Sequence, residues 1–203
     1  MRQETTNYKL LGCFAPTFYR ILDESAPEWT AQQPRTEALL TMNGELITRV
    51  TQEFRRHLDI EGSARLRDGR VVNFHHKIEG AWRYLVAHDA PFGLGVESYK
   101  LVPYRTLAVD PQVIEFGTVL YLPALDGLRL PSGEVHDGFA FAHDEGQGIT
   151  GHRIDVFVAF ESDVNNTLTR SGCIENMNPV EVYAVDKQTM EHLNIEYRRY
   201  FAY

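Results

Sequence analysis

The stretch that decides the fold runs His143-Asp144-Glu145-Gly146-Gln147-Gly148-Ile149-Thr150-Gly151-His152-Arg153-Ile154-Asp155 and continues as Val156-Phe157-Val158-Ala159-Phe160. It sets an aspartate at each end of a glycine-rich loop, and the second aspartate sits inside the start of an apolar run. Three glycines let the backbone make left-handed turns and let a bulky ligand approach the main chain. An aspartate is poorly suited to a strand, and burying its carboxyl costs free energy unless it is hydrogen-bonded. A partly desolvated carboxyl there has a raised pKa, which a general acid working near neutrality needs. Asp155 also suits a turn cap that accepts backbone N–H bonds from the Gly151–Ile154 loop, so the local sequence leaves both roles open.

Around this stretch the chain reads as short strands separated by turn residues. Leu107–Val109, Val119–Leu122, Gly138–Ala142 and Ile154–Phe160 have barrel-like spacing, and Val180–Val185 is a late strand. Upstream, Tyr8–Phe14 and Thr17–Asp23 read as strands broken by Pro16. Ala38–Met42 and Leu46–Thr51 flank Asn43-Gly44, a hairpin signal. Ala64–Leu66 and Val71–Phe74 flank Arg67-Asp68-Gly69, another such signal. Phe54–Ile60 is the first helix, with Phe54, His57 and Leu58 on one face, and Lys187–Tyr197 a terminal one. The expectation is a mainly β fold with a few helices, organised as a single domain over 1–203. Its core at about 102–160 is completed by N-terminal strands from about 8–75, with an insertion or loop at about 77–97.

Composition narrows the partners. The 203 residues are 43% hydrophobic and 24% charged, ordinary for a globular chain. The formal net charge of −8, with no basic run longer than Arg55-Arg56 or Arg198-Arg199, excludes a nucleic-acid partner, which needs clustered cations. No apolar stretch approaches the roughly 20 residues that span a bilayer. Met1–Thr6 carries no apolar segment of the signal-peptide type, so an exported chain would have lost its leader or would use another route. Cys13 and Cys173 match no metal or redox spacing. They read either as one disulfide or as two separate thiols.

Three segments together resemble the family named for its three aspartates, the 3D domain shared with membrane-bound lytic transglycosylase A. Leu107-Ala108-Val109-Asp110-Pro111-Gln112-Val113-Ile114-Glu115-Phe116-Gly117-Thr118 is similar to the family's Ala-Val-Asp-x-x-x-Ile-Pro-x-Gly-Thr element. Ala142-His143-Asp144 through Gly151 is similar to its Ala-x-Asp-x-Gly-Gly-Ala-Ile-x-Gly element. Arg153-Ile154-Asp155-Val156-Phe157 is similar to its final aspartate-bearing strand, and the last two aspartates lie 155 − 144 = 11 positions apart, as in the family. Upstream, Thr17-Phe18-Tyr19 looks like a first barrel strand, and Glu61-Gly62-Ser63-Ala64-Arg65-Leu66-Arg67-Asp68-Gly69-Arg70 resembles an element of relatives, with Ala64 in a glycine position. Glu115-Phe116 and Gln147 depart from the family pattern, both in loops.

The resemblance implies a six-stranded double-psi β-barrel, located in the cell envelope, that binds peptidoglycan glycan strands. It implies a lytic transglycosylase with Asp155 as the catalytic acid and base, Asp144 and Asp110 in support, and no cofactor or metal. Thr17, Tyr19, Glu61, His143, Gly146 and Gly148 are the implied substrate-binding positions. Asp110, ahead of Pro111, also suits a turn fixed by side-chain-to-backbone bonds. Two other readings stay open: a non-catalytic, expansin-like polysaccharide-binding barrel, and a metal-dependent peptidoglycan amidase. For the latter, His136, His143 and His152 flank the acidic loop without a zinc-binding pattern. His75-His76, as strand neighbours, are expected on opposite faces. Tyr19, Tyr99, Tyr104 and Trp82 are candidates to stack on sugar rings.

Overall fold

A computed structural model describes residues 8–29 and 33–186. The expected helix at Lys187–Tyr197 lies outside the described residues. In chain order the elements are β1 (Tyr8–Tyr19), β2 (Leu22–Asp23), β3 (Glu37–Leu40), β4 (Leu46–Val50), α1 (Gln52–Glu61), β5 (Ser63–Arg65), β6 (Val71–Ile78) and β7 (Ala81–Ala87). Then follow β8 (Thr106–Val109), β9 (Val119–Tyr121), β10 (Phe139–Asp144), β11 (Arg153–Phe157), α2 (Thr167–Ser171) and β12 (Val180–Val185). The chain divides into two compact units, one from residues up to Tyr19 and from Gly95 onward, the other from Arg20–Leu94.

The first unit is a closed six-stranded barrel with strand order β1-β11-β8-β10-β9-β12. Pairing is mixed: β1 with β11 and β8 with β10 run parallel, and the other four pairs antiparallel. Closure leaves no free sheet edge. Alternation along each strand sends Phe14, Leu107, Leu120, Ala140, Ile154, Val156 and Val182 into one core, each fully buried. Each large side chain so placed contributes about 1.5–3 kcal/mol. The residues between them necessarily face outward.

Pro16 does not break the first strand, as its sequence suggests; β1 is continuous from Tyr8 to Tyr19. Ala15 donates to His152 O on the β11 side. Pro16 therefore faces the β12 side, beyond the last pair there, Phe14 with Val180. Its carbonyl accepts from Met177 N at 2.7 Å, and no strand carbonyl awaits the N–H that proline lacks.

The second unit holds the sheet β2-β5-β6-β7 and the hairpin β3–β4. The hairpin turns at Asn43-Gly44, with Gly44 at φ 82°. Helix α1 is capped by Thr51, whose side chain accepts from Phe54 N, and buries Phe54 and Leu58 against Trp29, Leu39, Val72 and Tyr84. Residues 77–97, expected as an insertion or loop, contain a full strand: β7 pairs with β6 along its length. The reversal is made by Glu79 and Gly80, at φ 50° and 78°, a pair of positive values of the kind that closes two-residue hairpins. Of the N-terminal stretch expected to complete the barrel, Tyr8–Tyr19 is a barrel strand, and the strands from Leu22 to Ala87 pair among themselves.

Candidate active site

Strand register builds the site. Thr17 on β1 stands opposite Asp155 on β11, Asp155 opposite Ala108 on β8, and Ala108 opposite Asp144 on β10. Residues directly opposite one another share a face, so Thr17, Asp155, Ala108 and Asp144 form one row across four strands. Their neighbours Phe18, Leu107 and Ile154 occupy the core, which puts the row on the outside of the wall. Ala108 is the small residue between the two carboxyl-bearing positions, whose backbones are about 10 Å apart at two strand spacings.

Asp144 reaches the row through an irregularity. The β10–β8 register shifts between Ala142 and Asp144, leaving His143 as the extra residue of a bulge, a device that re-aims the side chain after it. His143 itself is fully buried, stacked at 4.0 Å on Tyr99 and 5.1 Å on Phe141. Burial pushes its pKa down to about 3. Gly95 backs this arrangement: a Cβ there would lie 2.2 Å from His143 O.

The two carboxyls share a cause of perturbation but not their partners. Burial pushes Asp155 up to about 6, partly opposed by the Thr17 hydroxyl and the Arg153 charge. Its Oδ1 is buried without a protein partner. Burial also pushes Asp144 up to about 6. There, however, Tyr19 donates its phenol to Oδ2 at 2.7 Å and the Glu145 amide donates to Oδ1 at 2.9 Å. Both bonds favour the ionised form. The Tyr19 phenol is held well above its ordinary pKa by burial, then by the charges of Asp144 and Asp155.

Asp110 plays a different part. Its Oδ1 accepts from Gln112 N at 2.9 Å and its Oδ2 from Gly151 N at 2.7 Å, which ties the loop before β11 to the end of β8. Those two backbone bonds hold its carboxyl below the usual range. Arg153 closes the same loop by donating to Gly148 O at 2.9 Å. Gly148 and Gly151 take φ 93° and 62°, whereas Gln147, which stands where relatives have glycine, keeps a negative φ and needs none. At Gly146 a Cβ would fall 2.8 Å from Ile149 Cγ1, so the missing side chain lets Ile149 fold back over the Gly146 backbone.

Of the positions picked out by sequence, the structure brings together Thr17, Tyr19, Asp144 and Asp155, with Gly146, Gly148 and Asp110 in the adjoining loop. His143 lies behind the row in its aromatic stack, and Glu61 closes α1 in the other unit. Tyr104 is buried and donates to Glu161 at 2.8 Å. Ala108 and the His143 bulge went unread in the sequence, because register between distant strands leaves no local mark. His136 is buried, accepts from Gly138 N at Nδ1 and faces Tyr104 O through Nε2 at 3.1 Å, the pattern of a neutral ring. Burial, then the Arg105 charge, pushes its pKa down to about 4. His75 and His76 are not on opposite faces: the register shifts between Phe74 and His76, and their Nδ1 atoms lie 2.7 Å apart. Cys13 and Cys173 are free thiols. Among the described residues, no three His, Cys, Asp or Glu side chains cluster as a metal site would require, and no helix is long and apolar enough to cross a membrane.

Residues 105–190 match the 3D domain family. The fold is similar to that of E. coli MltA with bound chitohexaose, at 14% identity and TM-score 0.56, over 86% of this chain and 72% of that one. It is likewise similar to a membrane-bound lytic murein transglycosylase from Agrobacterium tumefaciens, at 14% identity and TM-score 0.53, over 88% and 75%. No curated protein matches the sequence.

Proposed function

We propose that this chain, carrying a 3D domain over residues 105–190, is a lytic transglycosylase of the cell envelope that cleaves peptidoglycan glycan strands. The observation that carries the reading is the asymmetry of the acid row. Asp144 and Asp155 are both desolvated, yet Asp144 is hydrogen-bonded by Tyr19 and the Glu145 amide while Asp155 Oδ1 has no protein partner. Burial raises both to about 6, and of the two only Asp155 has a carboxyl oxygen that the protein leaves without a hydrogen bond. Asp155 is therefore the one suited to hand a proton to a substrate oxygen near neutrality, as the general acid.

In this mechanism Asp155 protonates the glycosidic oxygen between N-acetylmuramic acid and N-acetylglucosamine as the C1–O bond breaks. The resulting carboxylate takes the proton of the muramic C6 hydroxyl, whose oxygen bonds to C1 and closes a 1,6-anhydro ring. The proton returns to Asp155 and no water is consumed. A nucleophile supplied by the substrate itself has a high effective concentration, so a single carboxyl suffices. Hydrolysis would need a second carboxylate free to activate water, and the protein already engages both oxygens of Asp144. In this reading Thr17, opposite Asp155 on the neighbouring strand, and the Gly146–Gly148 backbone orient the sugar.

Mass spectrometry of sacculi digested with the purified protein tests the reading. The expected products end in 1,6-anhydro-N-acetylmuramic acid. Reducing ends that carry oxygen from labelled water would overturn it in favour of hydrolysis, and intact strands in favour of an inert binding barrel. Cut peptide stems, with activity lost to EDTA and restored by zinc, would favour an amidase.

A further inference from the structure

The acid row uses β1, β11, β8 and β10; the barrel wall closes through β9 and β12, and there the register builds a row of a different kind. Leu10 stands opposite Tyr183, Tyr183 opposite Tyr121, and Tyr121 opposite Phe139. Their strand neighbours Leu120, Ala140 and Val182 fill the core, so these four side chains face outward. Tyr8 lays its ring on Tyr121, with centroids 4.7 Å apart and planes 15° from parallel, and meets Phe139 at 6.4 Å and Tyr183 at 6.5 Å. Gly138 supports the layer from beneath: a Cβ there would fall 2.3 Å from Tyr121 Cε2, so the ring lies flat only over glycine. The layer's outer members face solvent, Tyr8 at 41% and Leu10 at 51% exposure, while Tyr121, Phe139 and Tyr183 are half-buried beside them. The phenols are anchored at the rim, Tyr121 donating to Asp126 at 2.8 Å and Tyr183 to Glu181 at 2.9 Å.

We propose that this aromatic row is a second carbohydrate-binding surface, which holds the uncharged N-acetylglucosamine units of a glycan strand on the barrel wall away from the acid row. Flat aromatic faces pack against the C–H faces of pyranose rings, and the rim carboxylates accept hydrogen bonds from sugar hydroxyls. The same carboxylates disfavour anionic occupants, including a second copy of a chain whose formal net charge is −8. An exposed apolar patch with a polar rim is the form an interaction site takes. The choice of polymer rests on the function proposed above, but the surface needs no turnover in order to bind.

Titration of the full chain with chitohexaose, the β-1,4-linked N-acetylglucosamine hexamer, followed by aromatic-region NMR, tests this. Saturable shifts are expected at Tyr8 and Tyr183. Tyr8→Ala should weaken that binding about three- to tenfold, Tyr8→Phe should restore it, and both should turn over soluble glycan as the parent does. Asp155→Asn should retain the Tyr8 and Tyr183 shifts. The proposal is overturned if both resonances stay unmoved or if Tyr8→Ala binds as tightly as the parent. It is equally overturned if Tyr8→Ala only abolishes a concentration-dependent self-association. A parent that shifts at Tyr8 with chitohexaose yet releases no product from sacculi would sink the enzyme reading and leave this surface standing.

Discussion

Tyr19 and Asp144 meet although their strands are not neighbours: each is the last residue of its strand, β1 and β10, and the phenol donates to Asp144 Oδ2 at 2.7 Å. Removing that donor by Tyr19→Phe withdraws a bond that favours the Asp144 carboxylate, so Asp144 holds its proton to higher pH. With Asp144 neutral over a wider range, less negative charge opposes ionisation of Asp155, which gives up its own proton at lower pH. The alkaline limb of kcat/KM should move to lower pH and kcat should fall, with KM changed less. A pH–rate profile checks this. An unmoved profile with a fall in KM affinity alone would make Tyr19 a substrate contact and not a positioning residue.

Stability should respond to the same two carboxyls. Both have folded-state pKa values raised to about 6 by burial, against roughly 3.9 in an unfolded chain. Their contribution is therefore full below about pH 3.9 and lost as pH rises through about 6. Asp110, Asp23 and Glu161 are shifted the other way and lose theirs as pH falls through their lowered values. Thermal melts should thus show highest stability in the mildly acidic range and a decline toward neutrality. Asp155→Asn and Asp144→Asn should each flatten that decline, because neither amide ionises. A decline of parental size in both variants would mean that these groups are not desolvated.

Many strands of both units were legible because their signals are local. Asn43-Gly44 and Arg67-Asp68-Gly69 mark turns by backbone chemistry, and the alternation at Leu107–Val109 and Ile154–Phe157 separates core from wall. What stayed hidden depends on pairing. Pro16 reads as a break until the opposite side of β1 is known to lack a partner there. The hairpin at Glu79-Gly80 hides behind a glutamate in an unusual φ. The bulges that aim Asp144 and gather His75 with His76 exist only relative to β8 and β7. The three aspartates could be found by motif, yet which backbone amides and which phenol reach each of them is set by pairing.

Asp110 supplies a structural contrast. Its two backbone acceptors hold the loop that precedes Asp155, so Asp110→Ala should free the Gly151 amide and lower the melting temperature. The loop would still be closed by the Arg153 bond to Gly148, so residual turnover should persist. Hydrogen exchange at Gly151 reads the effect directly. Protection equal to the parent's, with activity abolished, would move Asp110 from loop support to chemistry.

The sharpest test sets Asp155 against Asp144. Asp155→Asn keeps the shape of the row and removes the transferable proton. General acid–base catalysis is commonly worth about 10²–10⁴-fold, and in the proposed mechanism one group serves both halves of the reaction, so turnover should fall by at least the upper part of that range. Folding should be undisturbed, since the substitution removes a buried charge above about pH 6 and its Oδ1 forfeits no protein partner. Asp144→Asn should cost less, because it alters the charge beside Asp155 and its link to Tyr19 while leaving the proton donor in place. Single-turnover rates on purified glycan strands separate the two. If Asp155→Asn works at a near-parental rate while Asp144→Asn is inactive, the acid is the carboxyl that Tyr19 holds, and the hydrogen bond from Tyr19 must then be read as tuning the acid itself.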